Sequence, residues 1–78
     1  MSEKDKKYPF GKTMRRLMSE RGVHQSDIVR ATGIEKSTLS RILKGETRSP
    51  SIHTCKKFAD YFGMNLVQFW AELEKDED

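Results

Sequence analysis

The sequence predicts an all-α domain built from five short helices, and three observations support this fold class. Apolar residues recur at intervals of three and four residues in five separate stretches, which is the spacing of one helix face. The five glycines are isolated from one another, and we interpret them as helix stops. No stretch alternates apolar and polar residues in the way that is typical of a half-buried strand.

Length and composition restrict the classes of protein. At 78 residues the chain forms one small domain, which buries only about 60% of its extended surface. The single cysteine excludes an intramolecular disulfide and a zinc site with several cysteine ligands. No apolar run approaches the roughly 20 residues needed to span a bilayer, and the charged N-terminus is unlike a secretory signal. We therefore expect a cytoplasmic protein without a membrane partner.

The net charge of +3 is unevenly distributed along the chain. Residues 71–78 carry one lysine against five carboxylates, a net charge of −4, so residues 1–70 carry +7. A basic body with an acidic tail favours nucleic acid as the partner. A domain with mixed surface charge and no such partner is the alternative that charge alone leaves open.

Residues 1–9 show no apolar periodicity and are predicted to form a flexible N-terminal arm. Pro9 marks the start of the fold, because proline is tolerated at a helix entry but not inside a helix. The first helix is predicted over residues 10–21, and Gly22 ends it. Its inward stripe consists of Phe10, Met14, Leu17 and Met18.

The second and third helices are short and need the surrounding core for stability. The second is predicted to begin at residue 24 or 25 and to stop at Gly33, and Val23 before it is expected to be buried. The third is predicted over about residues 35–44, followed by Gly45. Its inner face is apolar and consists of Leu39, Ile42 and Leu43.

The outer face of the third helix carries hydrogen-bond donors and no carboxylate. These residues are Lys36, Ser37, Thr38, Ser40, Arg41 and Lys44. Donors on one face of a short helix are suited to a polyanion that also presents base edges.

A polar loop over residues 46–50 precedes a fourth helix, predicted over about residues 51–62. Its inward stripe is predicted to be Ile52, Cys55, Phe58, Ala59 and Phe62. The fifth helix is predicted to be capped by Asn65 and to end at about residue 73. Residues 74–78 are predicted to form a frayed acidic tail, so that the folded domain covers residues 10–73.

Enzyme activity requires clustered reactive groups, which the sequence does not offer. His53 and Cys55 are two residues apart and point to different helix faces, so they cannot form a nucleophilic pair. No side chains have metal-ligand spacing, and there is no glycine-rich phosphate loop. We expect no catalysis, no metal and no cofactor, and we interpret Cys55 as a core residue.

A series of positions follows the pattern of a known family. They are Met14, Leu17, Gln25, Ile28-Val29, Gly33-Ile34, Leu39, Ile42, Gly45, Pro50, Cys55, Phe58-Ala59 and Phe62-Gly63. In these positions, most specifically from Gly22 to Gly45, the chain resembles the XRE family, also called the lambda repressor-like or Cro/C1 family. The resemblance covers about residues 10–73. It implies a lambda repressor-like DNA-binding domain with its helix-turn-helix (HTH) at helices two and three.

The chain departs from the family pattern at a pair that bridges the first and third helices. This pair is often a buried arginine and glutamate, but here it is Met18 and Leu43. An apolar pair can stabilise such a site as much as the ion pair it replaces. The fold prediction therefore stands.

Family members place the third helix in the major groove of DNA, and the resemblance implies roles at the matching positions. The implied base-reading residues are Lys36, Ser37, Thr38 and Arg41. The implied phosphate-binding residues are Gln25, Lys44 and Arg48. The alternative for each residue is an ordinary solvated polar face.

A single HTH reads only a few base pairs, so a homodimer on a two-fold operator is expected. The candidate interface residues are Leu66, Phe69, Trp70 and Leu73, and the alternative is that they fill the monomer core. The leading hypothesis is a sequence-specific regulator of transcription, a repressor, that inserts the third helix into double-stranded DNA. The alternative is an antitoxin-type or adaptor protein of the same fold whose main partner is another protein.

Overall fold

The computed structural model describes residues 9–46 and 50–77. Within these ranges the chain forms five helices and no strand, which confirms the predicted all-α fold. In chain order the helices are α1 (Phe10–Arg21), α2 (Gln25–Thr32), α3 (Lys36–Lys44), α4 (Ile52–Tyr61) and α5 (Leu66–Lys75). The predicted arm, apart from Pro9, and the phosphate candidate Arg48 lie outside the described residues.

Polar side chains fix the starts of the last two helices. Ser51 precedes α4, and its Oγ accepts a hydrogen bond from the backbone N–H of Thr54 at 3.2 Å. Asn65 caps α5 as predicted, because its Oδ1 accepts from the N–H of Gln68 at 2.8 Å. The Gln68 side chain in turn accepts from the N–H of Asn65 at 2.9 Å, so two backbone donors are satisfied reciprocally.

All five helices contribute side chains to one core. The buried apolar residues are Phe10, Met14, Leu17, Ile28, Ile34, Leu39, Ile42, Leu43, Cys55, Phe58, Ala59, Phe62, Phe69 and Leu73. The predicted inward stripes are confirmed with two exceptions. Met18 is half-buried at the edge of the core, and Ile52 in the first turn of α4 is 63% exposed, so its prediction as an inward residue is wrong.

Gly11 allows α1 to approach α3 at backbone distance. A Cβ at this position would lie 2.7 Å from the backbone oxygen of Ile42 and 2.8 Å from that of Leu43. Real Cβ atoms do not come this close to backbone oxygens, so a larger residue would push the helices apart. Gly11 lies inside α1, and its interpretation as a helix stop is wrong. Its role is to set the position of α3.

The end of α5 is joined to α1 by Arg16. The guanidinium donates to Glu72 Oε1 and to Asp76 Oδ2, each at 2.9 Å, and Thr13 Oγ1 donates to Asp76 Oδ2 at 2.7 Å. Hydrogen bonds from Arg16 lower the pKa of both carboxyl groups from their ordinary values. Glu74 and Lys75 are helical, and the Asp76 side chain is only 12% exposed. The prediction of a frayed tail is therefore wrong over the described part of residues 74–78.

Candidate nucleic-acid interface

The third helix has two chemically different faces. Leu39, Ile42 and Leu43 are buried against the other helices, with exposed fractions of 0%, 2% and 6%. The opposite face is exposed and carries the predicted base-reading residues together with Lys44. These are Lys36, Ser37, Thr38 and Arg41, and all four are exposed. All four predicted base readers are therefore open to solvent within the first two turns of α3.

The turn between α2 and α3 is fixed by local hydrogen bonds and one buried side chain. Thr32 Oγ1 donates to the backbone oxygen of Ile28 at 2.7 Å and accepts from the N–H of Ile34 at 3.2 Å. Gly33 between them has φ of +77°, a left-handed conformation that glycine adopts without a steric cost. Ile34 is only 7% exposed, so α3 starts from an anchored position.

The cations on α3 have no acidic partner among the residues that the structure describes. Lys36, Arg41 and Lys44 form no ion pair with any of the residues that the structure describes. By contrast, Arg30 on α2 lies 3.8 Å from Asp27, and Lys56 on α4 lies 3.7 Å from Asp60. No carboxylate interrupts α3 itself. This face therefore presents positive charge that remains available to a polyanion.

A groove of about 380 Å³ lies between α1, α2 and α3. It brings together Gln25 and Lys44, the two described residues that were predicted to bind phosphate. Its lining residues are Arg15, Met18, Gln25, Ser40, Leu43 and Lys44. Sequence reasoning missed Arg15 as a site residue. Arg15 is three residues before Met18, so both lie on one face of α1. Because the family pattern places the Met18 position against the third helix, this spacing could have located Arg15 there.

A second surface, between α4 and α5, is apolar. It forms a groove of about 450 Å³ lined by Ile52, Leu66, Val67, Trp70, Ala71 and Glu74. Val67 is 78% exposed. Trp70 is half-buried, and its ring is edge-on to that of Phe10 with 6.0 Å between the ring centroids. Phe69 and Leu73, by contrast, are 0% exposed and belong to the monomer core. Their prediction as interface residues is wrong, whereas Leu66 and Trp70 line the open groove.

Other kinds of site find little support within the described ranges. Cys55 is 2% exposed, and desolvation raises the pKa of its thiol, so it packs as a core residue. No group of three His, Cys, Asp or Glu side chains among residues 9–46 and 50–77 can hold a metal ion. None of the helices seen in these ranges has both the length and the apolar character needed to cross a membrane.

Comparison with known proteins gives concordant results. The Cro/C1-type HTH DNA-binding domain family matches residues 13–69. The cryptic phage CTXphi transcriptional repressor RstR of Vibrio cholerae is 29% identical over 69 residues, which are 88% of this chain and 61% of that protein. An uncharacterized HTH-type transcriptional regulator of Coxiella burnetii (strain RSA 493 / Nine Mile phase I) is 30% identical over 59 residues, 76% of this chain and 27% of that protein.

The chain spans less than two thirds of the length of each of these curated relatives. The family match nevertheless covers well over half of the 78 residues and includes the whole of α2, α3 and α4. The match includes the turn between α2 and α3, the exposed donors of α3 and all the residues that line the groove between α1, α2 and α3. The resemblance found in the sequence is therefore confirmed, and the chain belongs to the Cro/C1-type HTH DNA-binding domain family.

Proposed function

We propose that this protein is a sequence-specific regulator of transcription that binds double-stranded DNA by inserting α3 into the major groove. The observation that carries the proposal is the outer face of α3. Its donors are exposed, its cations pair with no described carboxylate, and the opposite side of the helix is buried and apolar. An α-helix of this kind fits the width of the major groove and can reach base edges there. No catalytic step is part of the proposal.

Base reading is assigned to four residues of α3. Lys36 in the first turn and Arg41 further along the helix donate to guanine O6 and N7. Ser37 uses its hydroxyl, which can donate or accept, and Thr38 places its methyl group against a thymine methyl. All four side chains are exposed, so no rearrangement of the core is required for these contacts.

Phosphate binding is assigned to residues that flank the recognition face. Gln25 and Lys44 line the same groove and would hold one stretch of DNA backbone. Arg48, which lies outside the described residues, remains a proposed phosphate contact on the strength of its position after α3. Such contacts fix the register of the protein on the duplex, whereas the residues of α3 supply the sequence preference.

We further propose that the regulator is a repressor that covers an operator as a homodimer. One of its relatives is a transcriptional repressor, RstR of Vibrio cholerae. The apolar groove between α4 and α5 supports self-association, because exposed Ile52 and Val67 adjoin the half-buried Leu66 and Trp70. Tryptophan is among the residue types enriched in protein interfaces.

Selection of bound sites from random duplex DNA tests the DNA-binding proposal. A two-fold symmetric motif is the expected result, because a dimer presents two copies of α3. Arg41→Ala should reduce discrimination at one position of each half-site by about 1–3 kcal/mol, which is the value of one good base contact. Lys57→Ala, which removes a cation exposed on α4, serves as the matched control. If Arg41→Ala and Lys36→Ala both select the same motif with unchanged affinity, the assignment of α3 as the base-reading helix is refuted.

Sedimentation equilibrium tests the dimer. Val67→Asp places a charge at a residue that is 78% exposed, so it should leave monomer stability nearly unchanged. We expect it to weaken self-association, because a carboxylate in an apolar interface loses its hydration without gaining a partner. A variant that associates as strongly as the parent protein would exclude this groove as the dimer interface.

The second candidate function is that of an antitoxin-type or adaptor protein whose main partner is another protein. The same apolar groove favours it, because an exposed patch of this kind also marks sites for foreign protein partners. The two candidates differ in what the DNA selection yields. A folded protein that enriches no motif supports the protein-partner function.

A further inference from the structure

The groove between α1, α2 and α3 contains a cation that none of the proposed DNA contacts includes. Arg15 on α1 lines this groove together with Gln25, Ser40 and Lys44. Arg15 and Lys44 are exposed, whereas Leu43 beneath them is only 6% exposed. The two cations therefore border one concave surface that continues onto the outer face of α3.

Arg15 is held in place by the end of α3. Its Nη1 donates to the backbone oxygen of Leu43, which lies among the last four carbonyls of the helix. These carbonyls lack a regular partner within their own helix, so the bond satisfies one of them. A guanidinium carries five N–H donors, and one bond to Leu43 leaves donors for a second acceptor.

The chemistry around Arg15 is that of an anion site. No Asp or Glu lies within ion-pair distance of Arg15 or Lys44 in the described part of the chain, and no carboxylate lines the groove. Gln25 adds amide N–H donors, and Ser40 adds a hydroxyl. Two cations with neutral donors and no carboxylate match the oxygens of a phosphodiester.

We propose that Arg15 and Ser40 complete, with Gln25 and Lys44, a single site for a backbone phosphate of duplex DNA. The inference rests on the proposed DNA-binding function and extends the interface from α2 and α3 to α1. Because Arg15 also bonds the carbonyl of Leu43, one side chain joins the phosphate to the end of the recognition helix. A phosphate in this groove would therefore fix α3 relative to the DNA backbone.

The salt dependence of DNA affinity tests the site. Each phosphate contact contributes a slope of about −0.9 to the plot of log affinity against log salt concentration. When the salt concentration is raised from about 50 to about 200 mM, the affinity of the parent protein should therefore fall by a factor about 3.5 times larger than the affinity of Arg15→Gln. At low salt, Arg15→Gln should bind the DNA more weakly than the parent protein does. Its preferred sequence should be unchanged, because phosphate contacts carry no base information.

Two variants control this measurement. Lys57→Gln also removes one charge from an exposed residue, but Lys57 lines a different groove with residues of α2 and α4. It should therefore keep the parental slope. Arg15→Lys retains the charge and should restore the slope, because an ammonium also binds phosphate.

The outcomes separate this inference from the proposed function. If Arg15→Gln binds the selected DNA site with the same salt slope as the parent protein, the phosphate site is overturned and the regulator proposal is left intact. A salt-independent loss of affinity together with a lower Tm likewise overturns it, since Arg15 would then act only on the fold. A parent protein that binds no duplex DNA overturns both proposals.

Discussion

Two neighbouring arginines on α1 lie in opposite environments. Arg16 donates to three carboxylates, those of Glu20, Glu72 and Asp76, at distances between 2.9 and 3.3 Å. Arg15 has no carboxylate partner among the described residues and donates to the carbonyl of Leu43. Because consecutive residues of a helix are about 100° apart, one arginine faces α5 and the other faces α3.

The charged residues at the two junctions have different roles. At the junction of α1 and α5, Glu72 on α5 and Asp76 just after it are the counter-charges of Arg16 and join α5 to α1. At the junction of α1 and α3, the backbones approach directly through Gly11, and Arg15 and Lys44 have no ion-pair partner in the described ranges. Glu72 and Asp76 are thus part of the fold, whereas the described basic surface near α3 is open to a partner.

Gly11→Ala should give the largest effect on stability, because it acts on the backbone junction. The added Cβ would meet the oxygens of Ile42 and Leu43 at less than 3 Å, and backbone atoms cannot move aside as a flexible side chain can. We expect a loss of about 3 kcal/mol in the free energy of unfolding, or about 15 °C in Tm. Urea and thermal unfolding measure this.

Ser19→Ala is the control for Gly11→Ala, since Ser19 is an exposed residue of the same helix. It should change the free energy of unfolding by no more than about 0.5 kcal/mol. Equal stabilities of Gly11→Ala and Ser19→Ala would show that the approach of α1 to α3 is loose, and the contrast between the two junctions would disappear.

Arg16→Ala should have a smaller effect, because it acts on a junction made of side chains. Asp76 and Glu72, with side chains 12% and 20% exposed, would lose their main donor. We expect a loss of about 1–2 kcal/mol, at the low end for charged hydrogen bonds because Arg16 itself is 28% exposed. Lys75→Ala is the control, since the exposed Lys75 also pairs with Glu72 and should contribute less than about 0.5 kcal/mol. A loss for Arg16→Ala no larger than for Lys75→Ala would contradict the assigned role.

Of the three changes to stability predicted here, lowering the pH should have the smallest effect. The folded-state pKa values of Asp76 and Glu72 are lowered by Arg16, so their stabilisation is fully present above the unfolded values of about 4. It is lost as the pH falls through the lowered folded values. The stability difference between the parent protein and Arg16→Ala should therefore shrink from about pH 6 to about pH 2, as measured by urea unfolding. A constant difference over this range would mean that these carboxyl groups are not coupled to Arg16.

The helices and their inner faces could be predicted from the sequence because both are local properties. The spacing of Leu39, Ile42 and Leu43 places them on one face, and isolated glycines end the helices in a conformation that other residues avoid. The base-reading candidates followed from the same pattern, since the residues between the buried ones must be exposed. Periodicity therefore gave the polar face of α3 as well as the core.

The missed features depend on packing between distant segments. Arg16 and Asp76 are 60 residues apart, and nothing in their local sequence indicates that they pair. Gly11 looks like any other isolated glycine until α3 is placed against it. Ile52 follows the helical period of its stripe, yet no neighbouring helix covers its position in the first turn of α4. Periodicity defines a face, but only the tertiary fold decides what covers it.

Trp70 is the single tryptophan of the chain, and its location makes it an intrinsic optical probe. Its indole touches the α1 side of the fold through Phe10 and also lines the apolar groove beside Val67. Unfolding should therefore shift its emission to the red, whereas occupation of the groove should shift it to the blue by excluding water from the ring. One fluorescence spectrum can thus distinguish loss of the fold from association, without a label attached to the protein.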